Sequence, residues 1–194
     1  MRQMRNEVTV QAIILSVLSV PLSACAEPDE SVERSVAFID REMHIIHAEG
    51  ESDSARARDG CRILVNKVFD LDAMARGSLP EMWDSMEPDQ HDIFRSAFAE
   101  RMTTDCVRQI TEHGTETLKL LGIDKFATAR LGPEDFSKKI ITWHLRSAGP
   151  ELWVAIDMLA DGRSIVLSAH DEYSAILQAQ NGDIDALIAA LQRQ

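Results

Sequence analysis

The sequence predicts a single α+β domain in which a small antiparallel sheet of about four strands is wrapped by helices. Three observations predict it. Over residues 32–113, apolar side chains recur at helical spacing in successive segments. Over residues 115–159 the pattern changes to short stretches bounded by Gly, Pro and Asp. After residue 168 the helical period returns. No internal repeat or low-complexity tract interrupts the 194 residues, a length that suits one domain plus a processing segment.

The first segment reads as an export signal. Arg2 and Arg5 give a basic start, residues 8–22 form an apolar run, and small residues follow at Ser23, Ala24, Cys25 and Ala26. The run is too short to span a membrane comfortably, and a buried N-terminal helix is the alternative. Two cleavage readings compete. Leu22-Ser23-Ala24-Cys25 resembles a bacterial lipobox, which would make Cys25 a lipidated first residue. Ala24-Cys25-Ala26 also fits small-x-small cleavage, which would release a chain beginning at Glu27. The expected organisation is a signal at 1–24 (or 1–26) and one domain at 27–194, in the periplasm or anchored there through Cys25.

The helices follow in order. Residues 27–32 read as a polar lead-in. Val32, Val36, Ile39, Met43 and Ile46 then mark a helix over 32–47, and residues 48–57 a charged loop. A second helix covers 57–68 and a short third one 70–79, with Asp70 as its N-cap. Pro88 suits the first turn of a long helix, along which Phe94, Phe98 and Met102 form a stripe until Gly114 ends it near residue 113. Strands are expected at 115–123, 125–131, 138–147 and 151–159. In the third, Ile141, Trp143 and Leu145 alternate with Thr142, His144 and Arg146. In the fourth, Leu152, Val154, Ile156 and Met158 fall on one face and Trp153, Ala155 and Asp157 on the other. Pro150 and Asp161-Gly162 read as turns. Helices over 168–180 and 183–193 close the chain, the last with Ile184, Leu187, Ile188 and Leu191 as its apolar stripe.

Charge excludes some function classes. With 20 basic against 32 acidic residues the chain carries −12. Loss of residues 1–24 removes two basic groups and one acidic group, leaving 18 against 31, or −13. This balance argues against nucleic acid, whose phosphates need Lys and Arg, and against tight adsorption to an anionic membrane. Cys61 and Cys106 both fall on apolar helical rows. An even pair in an oxidising compartment suggests a disulfide contributing about 4 kcal/mol in the chain-entropy model, with two buried thiols as the other possibility.

Catalytic and metal motifs are missing. No Gly-rich phosphate loop, Cys-x-x-Cys, His-Glu-x-x-His or Gly-x-Ser-x-Gly occurs. His44 and His47 have a spacing that can hold a metal, but only Asp40 is near and a solvated helix face is the simpler reading. Asp70 and Asp72 read as a cap and a first-turn acid rather than paired catalytic acids, and His170-Asp171-Glu172 lacks a nucleophile. The expectation is a protein that is not an enzyme, with no metal and no cofactor. An excess of Trp, Phe and Met remains, which fits either a filled core or a cavity lined by adaptable side chains.

Residues 69–102 carry a family resemblance. Phe69-Asp70, Met74-Ala75, Trp83, Pro88 with Gln90, and Phe94 with Phe98 stand in the order found in MlaC-type proteins. These are the periplasmic lipid-binding components of intermembrane lipid transport, also called the toluene-tolerance auxiliary family. Trp153, Asp157, Gly162-Arg163-Ser164 and Tyr173 extend the resemblance over nearly the whole mature chain. The Glu172-Tyr173 ending looks like the hopanoid-associated branch. Cys106 departs from the pattern, standing where members commonly carry Tyr, and so does Gly77-Ser78-Leu79-Pro80 before Trp83.

The resemblance implies a nuclear-transport-factor-two-like curved sheet with acyl chains held inside. It also implies a monomer that carries phospholipid or a hopanoid-type lipid between an inner-membrane lipid ABC transporter complex and an outer-membrane lipid complex. Candidate pocket residues are Phe69, Met74, Phe94, Phe98 and Met102 on the helices, Trp143, Leu145, Trp153 and Ile156 on the strands, and Tyr173 near the end. Two other classes compete: an envelope lipoprotein acting as an adaptor with a filled core, and a hydrolase on the same type of fold.

Overall fold

The computed structural model describes residues 28–113, 117–124, 128–132, 141–149, 152–160 and 162–193. The signal segment, Cys25 and Pro150 lie outside these residues. Seven helices and five strands are described: α1 Pro28–Gly50, α2 Ser54–Val68, α3 Leu71–Ser78, α4 Pro80–Trp83, α5 Pro88–His113, β1 Lys119–Ile123, β2 Thr128–Gly132, β3 Ile141–Gly149, β4 Leu152–Ala160, β5 Arg163–Ser164, α6 Ile165–Ala179 and α7 Ile184–Leu191.

Local chemistry explains where the helices begin. Asp53 accepts hydrogen bonds from the amides of Ala55 (2.9 Å) and Arg56 (3.4 Å), so the charged loop shrinks to residues 51–53. Asp70 accepts from the Ala73 amide at 3.1 Å and caps α3 as expected. Ser164 accepts from the Leu167 amide at 3.0 Å, which starts α6 three residues earlier than the apolar period suggests. Of the lead-in read at 27–32, residues 28–32 instead form the first turn of α1, where Pro28 can sit without a missing hydrogen bond, and residue 27 lies outside the described residues. α4 was not anticipated, because four residues are too few to show a period.

The strands form one antiparallel meander in the order β1-β2-β3-β4-β5. The fifth strand, beyond the four expected, is a two-residue pair: Leu159 faces Ser164 and Ala160 faces Arg163. Gly162, at φ 74°, supplies the left-handed turn before it. The expected division of β4 into two faces is corrected by a bulge. His144 pairs with Asp157 but Leu145 pairs with Ala155, so Ile156 is an extra residue without a β3 partner. Met158 therefore shares a face with Trp143, and Ala155 and Trp153 share it with Leu145 and Ser147. Further register shifts lie between Ser147 and Gly149 and between Leu120 and Gly122, and such bulges bend a sheet.

Two apolar clusters hold the fold. One joins α3, α5, α6 and α7 around Met74, Phe94, Phe98, Met102, Tyr173 and Leu187. The other packs α1 and α2 against the sheet, through Val32, Val36, Ile39, Val68, Ala129, Leu131, Trp143 and Ala155. Phe69 and Cys106 touch both. Cys61 and Cys106 form a disulfide with Cα atoms 5.9 Å apart, tying α2 to α5. α1 approaches α2 so closely that a Cβ on Gly60 would stand 2.7 Å from Ile46 Cγ1.

Candidate functional site

A cleft of about 620 Å³ opens between α1 and the sheet, a volume within the usual range for ligand pockets. The α1 stripe read from the sequence makes one wall, with Val32, Val36 and Ile39 buried along it. Ala129 and Leu131 of β2, Trp143 and Leu145 of β3, and residues 152–155 of β4 make the floor. Ala129 and Ala155 are fully buried, and both stand opposite large residues in the sheet, Ala129 facing Trp143 and Ala155 facing Leu145. Two methyl side chains in these places leave open space that larger ones would fill.

Neighbouring contacts fix the floor. The Trp153 indole N–H donates to Ser31 Oγ at 2.7 Å, which pins the ring to α1. Phe69 stands behind Trp143 with ring centroids 5.6 Å apart. The Asp70 amide donates to the Ala155 carbonyl at 2.8 Å, and Arg146 forms an ion pair with Asp70, so the α2–α3 junction is fastened to β4 and β3. The buried Trp143 indole N–H meets no acceptor among the described residues. The exposed residues of the cleft lining are Arg34, Asn66, Lys67 and Leu152, which form its rim, with Leu152 51% exposed.

The structure divides the sequence-derived candidates. Trp143, Leu145 and Trp153 come together on the cleft, and Phe69 supports it from behind. Met74, Phe94, Phe98, Met102 and Tyr173 lie in the helical cluster and do not line the cleft. There Phe94 meets Tyr173 edge-on at 5.7 Å, a packed arrangement. Ile156 sits at the bulge, away from the lining. Sequence reasoning missed Val32, Val36 and Ile39 as a wall, although their spacing was visible. It also missed Ala129 and Ala155, which carry no signal of their own.

The residues weighed for chemistry are occupied structurally. His44 Nδ1 lies 2.8 Å from the Asp40 carbonyl oxygen and His47 Nδ1 lies 3.3 Å from that of Ile110. Among the described residues no three His, Cys, Asp or Glu side chains gather closely enough to hold a metal. Asp72 pairs with Arg95 at 3.4 Å. Glu172 accepts two hydrogen bonds from Arg101, at 2.8 and 2.7 Å, which raises the Arg101 pKa and joins α5 to α6. Burial pushes the neighbouring Tyr173 hydroxyl up to about 12, with the Arg101 charge opposing it. No helix among the described residues is long and apolar enough to cross a membrane.

A bulged antiparallel sheet, roofed by a helix and leaving an apolar cleft open to solvent, defines a class: a binding protein for an apolar ligand. The model of the family described as MlaC protein matches residues 37–193, and the chain belongs to that family. The family is one of non-enzymatic, periplasmic lipid carriers. Among solved structures, the fold is similar to that of the phospholipid-binding protein from Ralstonia solanacearum, determined in complex with a phospholipid. The two share 11% identity with a TM-score of 0.68, covering 84% of this chain and 94% of that one. No curated protein matches the sequence.

Proposed function

We propose that this chain binds a phospholipid with its acyl part in the α1–sheet cleft and carries it across the periplasm. The observation that carries this reading is the cleft itself, whose buried lining is apolar and whose exposed rim carries Arg34, Asn66 and Lys67 beside Leu152. Each methylene withdrawn from water contributes about 0.8 kcal/mol, so even a partly inserted chain is held firmly. Trp143, Leu145 and Trp153 grip the chain from the sheet, and Val32, Val36 and Ile39 from α1. The phospholipid named with the Ralstonia solanacearum structure supports the ligand class. Family membership supports an inner-membrane lipid ABC transporter complex and an outer-membrane lipid complex as the stations between which the lipid moves. A hopanoid-type cargo has less support, because Glu172 pairs with Arg101 and Tyr173 is sealed in the helical cluster, neither at the cleft.

The test is mass spectrometry of lipid extracted from the purified mature protein, followed by binding of added phospholipid. Absence of both stoichiometric lipid and added-lipid binding refutes carriage. Free diffusion further requires that residues 1–24 or 1–26 be removed without lipidation of Cys25. With α1 beginning at Pro28, an anchored Cys25 would hold the domain within about 10 Å of its lipid. Intact mass decides between these states.

A further inference from the structure

We propose that the rim of the cleft reads phosphate charge, with Lys67 as the residue that selects lipids with an anionic headgroup; this rests on the carriage reading above. The charge distribution is the first observation. Among the described residues that line the cleft none is acidic, and two are cationic, Arg34 and Lys67, in a chain whose net charge is −12.

Placement is the second observation. The exposed lining residues are Arg34, Asn66, Lys67 and Leu152, while most of the wall and floor are buried. An amphiphile inserted acyl-first leaves its phosphate in water, and therefore beside the exposed residues of the rim. Arg34 already leans toward Glu30, one helical turn away at 3.8 Å. Asn66 uses its amide to donate to the Arg62 carbonyl at 2.8 Å. Lys67 forms no ion pair among the described residues; its Nζ stands 5.4 Å above the Phe38 ring, which also lines the cleft. That contact holds the ammonium over the opening while leaving its donors available to an oxygen anion. An exposed charge contact of this kind is modest, so it tunes which lipid is held rather than whether one is held.

The experiment loads delipidated protein from mixed vesicles of phosphatidylglycerol and phosphatidylethanolamine with matched acyl chains, plus diacylglycerol, and quantifies bound lipid by mass spectrometry. Phosphatidylglycerol should exceed phosphatidylethanolamine by about three- to fivefold at low salt, with the margin shrinking at high salt. Lys67→Glu should erase the preference, whereas Arg193→Glu, the same charge change on an exposed residue just after α7, should leave it intact. Equal loading by the unmodified protein, or an undiminished preference in Lys67→Glu, overturns the headgroup assignment while carriage stands. Loading of none of the three lipids overturns both. Displacement of the bound lipid by glycerol 3-phosphate would show that the rim takes free phosphate esters, and would also overturn the assignment.

Discussion

Val36→Trp separates a cleft from a core with a single substitution. Val36 lies on the α1 wall, 5% exposed, and lines the cleft. An indole there takes up the room of about four methylenes, each worth about 0.8 kcal/mol to a bound chain. The lost burial is about 3 kcal/mol, or roughly 150-fold in affinity. Stability should respond differently. If the space is open, the indole fills it and the lipid-free protein unfolds within about 1 kcal/mol of the parent. If the space were solid core, overpacking would cost about 1–3 kcal/mol and lower the melting temperature by about 2–12 °C. The assay pairs lipid titration with calorimetry of delipidated protein. Retained stoichiometric lipid together with a lowered melting temperature would refute the cleft.

Phe98→Ala should show the opposite behaviour: a loss of about 3–5 kcal/mol in urea unfolding, with lipid affinity of the folded protein unchanged, because Phe98 packs in the helical cluster. Replacing Cys61 and Cys106 together by Ser opens a closure of 45 residues and should cost about 4 kcal/mol, seen as a melting temperature lower by about 8–16 °C; unchanged melting would mean the bridge does not restrain the unfolded chain. Tyr173 is the only tyrosine, so tyrosinate absorbance reports it alone. It should titrate near 12 in the native protein instead of the ordinary 10. Because the folded value is raised, its stabilising contribution is complete below pH 10 and is lost as pH rises from 10 through 12. Native titration at 10 would mean the hydroxyl is solvated.

Most of the fold was legible because its helices are amphipathic and capped. Asp70, Pro88 and the Val32–Val36–Ile39 stripe mark elements by local chemistry that tertiary packing did not override. What was not legible is of another kind. α4 and β5 are shorter than any period, and the bulge at Ile156 is a property of pairing between strands rather than of one strand's pattern. Once that bulge reverses the alternation, a correct strand gives the wrong face.

The site was less legible for a physical reason that also bears on mechanism. Phe94 and Trp143 are both buried aromatics, and their burial on a sequence pattern looks the same, yet one belongs to a packed cluster and the other to the floor of an opening. What distinguishes them is volume left unfilled by Ala129 and Ala155, and missing volume has no periodicity. The two clusters divide the work accordingly. The helical cluster around Phe94, Phe98 and Tyr173 can support the fold whether or not a lipid is bound. The cluster under α1 forgoes part of its packing to keep the cleft open. The Cys61–Cys106 bridge ties α2 to α5, and the Asp70–Arg146 pair ties the α2–α3 junction to β3, so the two regions are fastened to each other. A carrier that must exist both loaded and empty needs this arrangement, since a cleft that supplied the main core would collapse each time its cargo left.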